Sequence, residues 1–176
     1  MSRNIIGALT CGLYILCFVA FLILAHKKTY REPDGSENRY AVRAPKEMFV
    51  VCLGAYAFTT ALYVFFLVCF LHGNETVTIG HLVFALVLAA LLLFAALWYI
   101  RWAVAVYGDY MEIHIPFCKT KAVHFSEVRE IQVSARENRE GVVLYDEYGR
   151  KLVFVDAINE NYEKLWASLK NFGKIF

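Results

Sequence analysis

The residues with the most chemistry open to them are two histidines, a carboxylate and one cysteine in the C-terminal third of the chain. His114 and His124 sit in a stretch where Met111, Ile113, Ile115 and Phe117 alternate, and where Val123 and Phe125 resume the pattern after Cys118-Lys119-Thr120. If those three residues turn a hairpin, Ile115 faces Val123 and Ile113 faces Phe125, which gathers the apolar side chains on one face. The weak point of this register is that a three-residue loop ordinarily carries Gly at its left-handed position, and none is present. The same register sets His114 opposite His124 on the outer face, with Glu112 nearby. Two imidazoles across a hairpin can hold a divalent metal, but a structural site needs four ligands and the sequence supplies no obvious others. The expectation is two exposed strand histidines, with no metal and no other cofactor. Cys118 with either histidine would be a nucleophilic pair only with an orienting third group and a pocket. A lone hairpin cysteine is read as incidental, so no catalytic residue and no enzyme activity are expected.

What must position these residues is a membrane protein. The chain is 59% hydrophobic, above the roughly 45–50% of ordinary soluble domains. Three uncharged apolar runs, about 5–25, 48–71 and 82–100, are each long enough for a helix rising about 1.5 Å per residue to cross a ~30 Å hydrocarbon core. For the first run a signal peptide is the alternative. Its apolar stretch exceeds the usual length and Ile23-Leu24-Ala25 lacks the small-x-small cleavage pattern, which favours an uncleaved helix. No run contains Asp, Glu, Lys or Arg, the groups that ion pathways and proton relays place in a bundle interior, so a channel or transporter is not indicated. Ala85, Ala89 and Ala96 form a small-residue stripe read as bundle packing. Cys11, Cys17, Cys52 and Cys69 all fall inside the runs, where Cys acts as a small hydrophobe, so no disulfide framework is expected.

The connection His26–Glu47 is rich in basic residues (Lys27, Lys28, Arg31, Arg39, Arg43, Lys46), whereas His72–His81 has no Lys or Arg. Basic short loops mark the cytoplasmic side. The reading is therefore a multi-pass cell-membrane protein with its N-terminus outside and its C-terminal part in the cytoplasm. Within the basic connection, Tyr40 and Val42 alternate weakly, and 39–43 could add an edge strand to the later domain. The partition is a transmembrane region over 1–102 and a cytoplasmic α+β domain over 103–176.

In that domain a strand carries Ile131 and Val133, and Arg136–Gly141 reads as a charged loop. Glu147-Tyr148-Gly149 closes the clearest hairpin, with Gly at the left-handed position, Leu144 opposite Leu152 and Val142 opposite Phe154. From about Asn159 to Phe172 an amphipathic helix carries Tyr162, Leu165, Trp166, Leu169 and Phe172 on one stripe, with Gly173 where a C-cap belongs. From Trp102 onward ten Lys/Arg stand against eleven Asp/Glu, which gives no basic face for nucleic acid.

Tyr107-Gly108-Asp109, the strand ending Pro116-Phe117, Val123-His124-Phe125-Ser126-Glu127-Val128, Tyr148-Gly149-Arg150-Lys151 and Tyr162-Glu163-Lys164-Leu165 together resemble the short bacterial pleckstrin-homology-like domain. With Val42-Arg43-Ala44-Pro45-Lys46 before the second span, the whole chain is similar to an uncharacterised bacterial multi-span membrane family of that design. The resemblance implies a small antiparallel sheet capped by the C-terminal helix. A full fold of that kind has seven strands and a capping helix; fewer are counted here, so the sheet is abbreviated or is completed by 39–43. The expected role is non-enzymatic: an interaction module for a protein partner or a second copy of the chain. The alternatives are an anionic-lipid-binding or signal-sensing accessory protein and, further off, a Cys/His enzyme. Lipid-facing candidates are Lys27, Lys28, Arg101, Lys119 and Lys121, since each basic residue near an anionic surface adds about 1 kcal/mol.

Overall fold

The computed structural model describes residues 2–26, 33, 39–136 and 139–171, the side chains of 134–136 and 139 excepted. The three apolar runs form helices α1 (Arg3–His26), α2 (Lys46–Leu71) and α3 (Ile79–Arg101), each a few residues longer than its apolar stretch and each long and apolar enough to cross a membrane. Ala85, Ala89 and Ala96 are buried beside Leu82, Leu93 and Leu97, so the alanine stripe does pack the bundle. Between α1 and α2 the contact is aromatic and hydroxylic. The rings of Tyr14 and Tyr63 stack with centroids 4.5 Å apart, and the Tyr14 and Thr60 hydroxyls share a 2.7 Å hydrogen bond. Hydroxyls of Thr10, Thr59 and Thr60 also donate to carbonyls of their own helices, which leaves the Thr60 oxygen to accept from Tyr14.

Seven strands and a fourth helix follow the alternating patterns. They are β1 (Arg39–Arg43), β2 (Ala103–Tyr107), β3 (Tyr110–His114), β4 (Lys121–His124), β5 (Val128–Arg136), β6 (Arg139–Asp146), β7 (Lys151–Asp156) and α4 (Tyr162–Asn171). They make two antiparallel sheets, β1-β2-β3-β4 and β5-β6-β7. The chain forms two compact units, Met1–Lys28 with Lys46–Ile100, and Thr29–Pro45 with Arg101–Phe176. The second is thus discontinuous in sequence: the domain beginning at 103 also takes in 39–43. Arg43 and Ala103 are direct antiparallel partners, so residues 44–102, with both α2 and α3, stand where a hairpin turn would otherwise join β1 to β2.

One apolar core joins both sheets and α4. Tyr40 and Val42 reach it from β1, Val104 and Val106 from β2, Met111 and Ile113 from β3, and Leu165 and Leu169 from α4. Hydrogen bonds lock β1 to the far end of the chain: Tyr40 and Ser168 share one of 2.7 Å, and the Asn161 amide donates to the Ala41 carbonyl at 2.8 Å. Leu165 and Leu169 fill the helix stripe, with Tyr162 and Trp166 packed at its margin. The positions expected to finish the stripe and cap it, Phe172 and Gly173, lie outside the described residues.

Three local expectations are corrected. In the first hairpin the connection is six residues, 115–120, and the pairs are Met111–Val123 and Ile113–Lys121 in place of Ile115–Val123 and Ile113–Phe125. Pro116 has no N–H and cannot continue the ladder. The slip is even, so the core faces survive although every pair changes. In the second hairpin Tyr145–Lys151 pairs in the expected register, but a bulge between Leu144 and Tyr145 then sets Leu144 against Val153 and Val142 against Val155. Phe154 consequently leaves the core face. Its ring comes close to Gly141, where a Cβ would lie 2.8 Å from it and 2.5 Å from the Val155 carbonyl oxygen. The charged stretch 136–141 is mostly ladder, since Arg136 pairs with Arg139 and Ser134 with Gly141. Gly149 does adopt the left-handed conformation expected of it, at φ +73°.

Candidate functional site

The chemistry-bearing residues gather at the β3–β4 end of the first sheet, though not in the expected arrangement. His114 and His124 do not face each other: Ala103 lies opposite His114, and Tyr110 lies opposite His124. His124 is exposed, 3.7 Å from the Asp109 carboxylate and beside the Tyr110 ring. His114 is only 5% exposed, so the expectation of two exposed strand histidines fails for it. The even slip carried its former partner four residues down the ladder and left it at the inner end of β3.

His114 bridges two elements. Its Nδ1 and the Thr120 hydroxyl are 3.0 Å apart, and its Nε2 lies 3.3 Å from Glu112 Oε2. A hydroxyl, an imidazole and a carboxylate in line have the connectivity of a relay that could activate the hydroxyl. Burial pushes the His114 pKa down and Glu112 pulls it partly back, with a net result below the ordinary value. That makes the ring a weaker base, and its clear structural effect is to tie the β3–β4 loop, through Thr120, to the sheet. Cys118 is exposed on the same loop. Among the described residues no group of three or more His, Cys, Asp or Glu side chains is placed to hold a metal ion.

The loop itself is unusual. The Cys118 N–H donates to the Ile115 carbonyl at 3.1 Å, with Pro116 at the second position and Phe117 at φ +63° at the third. This is the hydrogen bond, sequence position and φ of a type II turn, whose third position normally takes Gly. Phe117 is nevertheless 55% exposed, and the Arg101 guanidinium carbon lies 6.0 Å from its ring centroid. Arg101 is the last residue of α3. Of the lipid-facing candidates, Lys119 and Lys121 are exposed in and just after this loop, Arg101 is half-buried beside Phe117, and Lys27 and Lys28 lie outside the described residues. Sequence reading missed Phe117 and Thr120. The one available signal was a proline followed by an aromatic where the alternation breaks.

A second feature lies on the other sheet. β5 is nine residues long and, among the described residues, borders only β6. Val133, expected on the same side of the strand as Ile131, is 54% exposed while Ile131 is buried. At the β6–β7 turn, by contrast, polar groups are consumed locally. Burial raises the Asp146 pKa, but hydrogen bonds from Arg150 and the Tyr148 N–H overrule it and hold the carboxyl below its usual value. No protein-family model, curated protein or solved structure matches the chain.

Proposed function

We propose that this chain is a non-enzymatic membrane protein whose second unit is a pleckstrin-homology-like domain that docks a protein partner, or another copy of the chain, at the cytoplasmic face. The observation that carries the reading is the outer edge of β5. Among the described residues this nine-residue strand has a strand neighbour on one side, and the other side of such a strand offers backbone donors and acceptors to which an incoming strand can add, a recurring mode of peptide recognition. The exposed Val133 supplies an apolar contact on that strand.

The pleckstrin-homology-like assignment is supported by the count and order of elements: four strands, then three, then a helix whose Leu165 and Leu169 enter the shared core. The strand missing from the C-terminal segment is supplied by 39–43, through direct pairing with β2. The cytoplasmic setting is supported by the basic residues of the 26–47 connection and by Arg101 at the end of α3, against an exit loop with no Lys or Arg. Photocrosslinking in intact membranes tests the docking reading. A photoreactive residue at Val133 is expected to give a discrete crosslinked product, with the same chain or another protein, while one at the exposed Ile158 gives none. The absence of any product from position 133 would refute it.

A further inference from the structure

We propose that the loop between α2 and α3 is a proton-responsive hinge, in which protonation of His81 releases the first turn of α3 while His72 keeps the end of α2 fastened. Thr78 precedes the first residue of α3, Ile79, and His81 stands three residues after Thr78. At that position a Glu or Gln ordinarily reaches back to the backbone N–H before the helix and completes a capping box. Here an imidazole does so. The Thr78 N–H donates to His81 Nδ1 at 3.1 Å, and the Thr78 hydroxyl lies 3.1 Å from the same nitrogen. A ring nitrogen accepts only through a lone pair, so this contact needs Nδ1 without a proton. A Gln amide would keep its acceptor at any pH, but histidine ordinarily changes charge between about pH 5 and 8. Once protonated, Nδ1 points a hydrogen at the Thr78 N–H, and the ring's charge stands at the positive end of the helix dipole. Both effects oppose the cap.

The other end of the loop is built in the opposite sense. His72 follows the last residue of α2, and its Nδ1–H donates to the Val68 carbonyl at 2.9 Å. A carbonyl can only accept, so a charge on that ring leaves the contact intact, and a cation there suits the negative end of α2. The N–H groups of Gly73, at φ +82°, and of Asn74 donate to the Phe70 and Cys69 carbonyls, which closes the same end with backbone alone. Acidification therefore loosens one end of the loop and spares the other. The α2 side chain against the His81 ring is Phe66, with centroids 5.4 Å apart. The other charged groups at this end of the helices are Glu75 in the loop and Arg3 of α1, whose guanidinium nitrogen lies 2.7 Å from where a Gly73 Cβ would stand. The hinge lies wholly within the helical unit and is separate from any partner at β5.

Spin-label mobility at the start of α3 tests the hinge. In the full chain with Cys11, Cys17, Cys52, Cys69 and Cys118 replaced by Ala, a label is placed at Ile79→Cys, exposed in the first turn, or at Val87→Cys, exposed about two turns further on. Spectra are recorded in phosphatidylcholine nanodiscs between about pH 8 and about pH 5. The label at 79 is expected to gain a mobile component on acidification and to lose it on return. The ratio of ordered to mobile label should fall about 5- to 30-fold, from the lost cap and the adverse charge at the helix end. The label at 87 should not change. His81→Gln keeps an acceptor that does not titrate, so it should stay ordered throughout, while His81→Ala should be mobile throughout and His72→Gln should respond like the parent. A parent label equally ordered at both extremes of pH would overturn the proposal. So would a response that survives His81→Gln, which would place the titrating group elsewhere, or an equal response at 87, which would mean that the whole helix loosens.

Discussion

If residues 44–102 stand in place of a hairpin turn, they can be exchanged for one. A soluble chain can be built by joining Ala44 to Trp102 through Asn-Gly, a four-residue connection between Arg43 and Ala103 of the length hairpins commonly use. Its stability should depend on β1. Tyr40 and Val42 are 3% and 0% exposed, and full burial of each is worth roughly 1.5–3 kcal/mol. The Tyr40–Ser168 hydrogen bond adds about 1 kcal/mol. Together these make about 4–7 kcal/mol, a large part of the roughly 5–15 kcal/mol that holds an ordinary domain. The joined chain should therefore unfold cooperatively in urea, and the segment 103–176 alone should show no cooperative transition. Val42→Ala in the joined chain removes two buried carbons, costing about 1.5–3 kcal/mol with the cavity term. With a urea slope near ~1.5 kcal/mol/M, the midpoint should fall by about 1–2 M. An unchanged midpoint for Val42→Ala, or equal stability with and without 39–43, would refute the placement of β1 in the core.

Other outcomes follow from single contacts. Folded His114 holds its proton less tightly than the ordinary value of 6.5, through burial partly offset by Glu112, so below about pH 6.5 the unfolded chain takes up more protons. Its contribution is present above that pH and lost as pH falls through the lower folded value; urea midpoints of the joined chain should show this decline, and His114→Gln should remove it. Gly141→Ala should destabilise by about 1–3 kcal/mol, since the new Cβ would meet the Phe154 ring and the Val155 carbonyl oxygen; a melting temperature equal to the parent's would show that β7 moves aside freely.

How much was legible in the sequence depended on whether the deciding interaction was local. Uninterrupted apolar runs announced all three long helices, and Tyr40 and Val42 announced a strand though not its partner, which lies about sixty residues on at Ala103–Tyr107. Gly149 revealed its turn because only one residue type sits easily at that φ. Register was less accessible. Pro116 ended the β3–β4 ladder early, and the bulge at Leu144/Tyr145 exchanged Leu152 and Phe154 for Val153 and Val155. The bulge answers to core packing, which no window of a few residues contains, whereas the early end of the β3–β4 ladder had a local cause in Pro116. At the candidate site, His114, Glu112, Cys118, Lys119 and Lys121 were singled out by type, but their grouping was not. The burial of His114 does not follow from the β3–β4 register, because an even slip leaves it on the same face of the sheet. Phe117 was placed in a strand because alternation cannot show that a proline has turned the chain.

The claim on which the account stands is that three helices cross the bilayer and leave the second unit inside. It can be measured directly in cells making the chain with Cys11, Cys17, Cys52 and Cys69 replaced by Ala, using a membrane-impermeant maleimide. The account predicts that Glu75→Cys, on the exposed loop between α2 and α3, reacts in intact cells, while Cys118 reacts only after permeabilisation. Labelling of Cys118 in intact cells would contradict it.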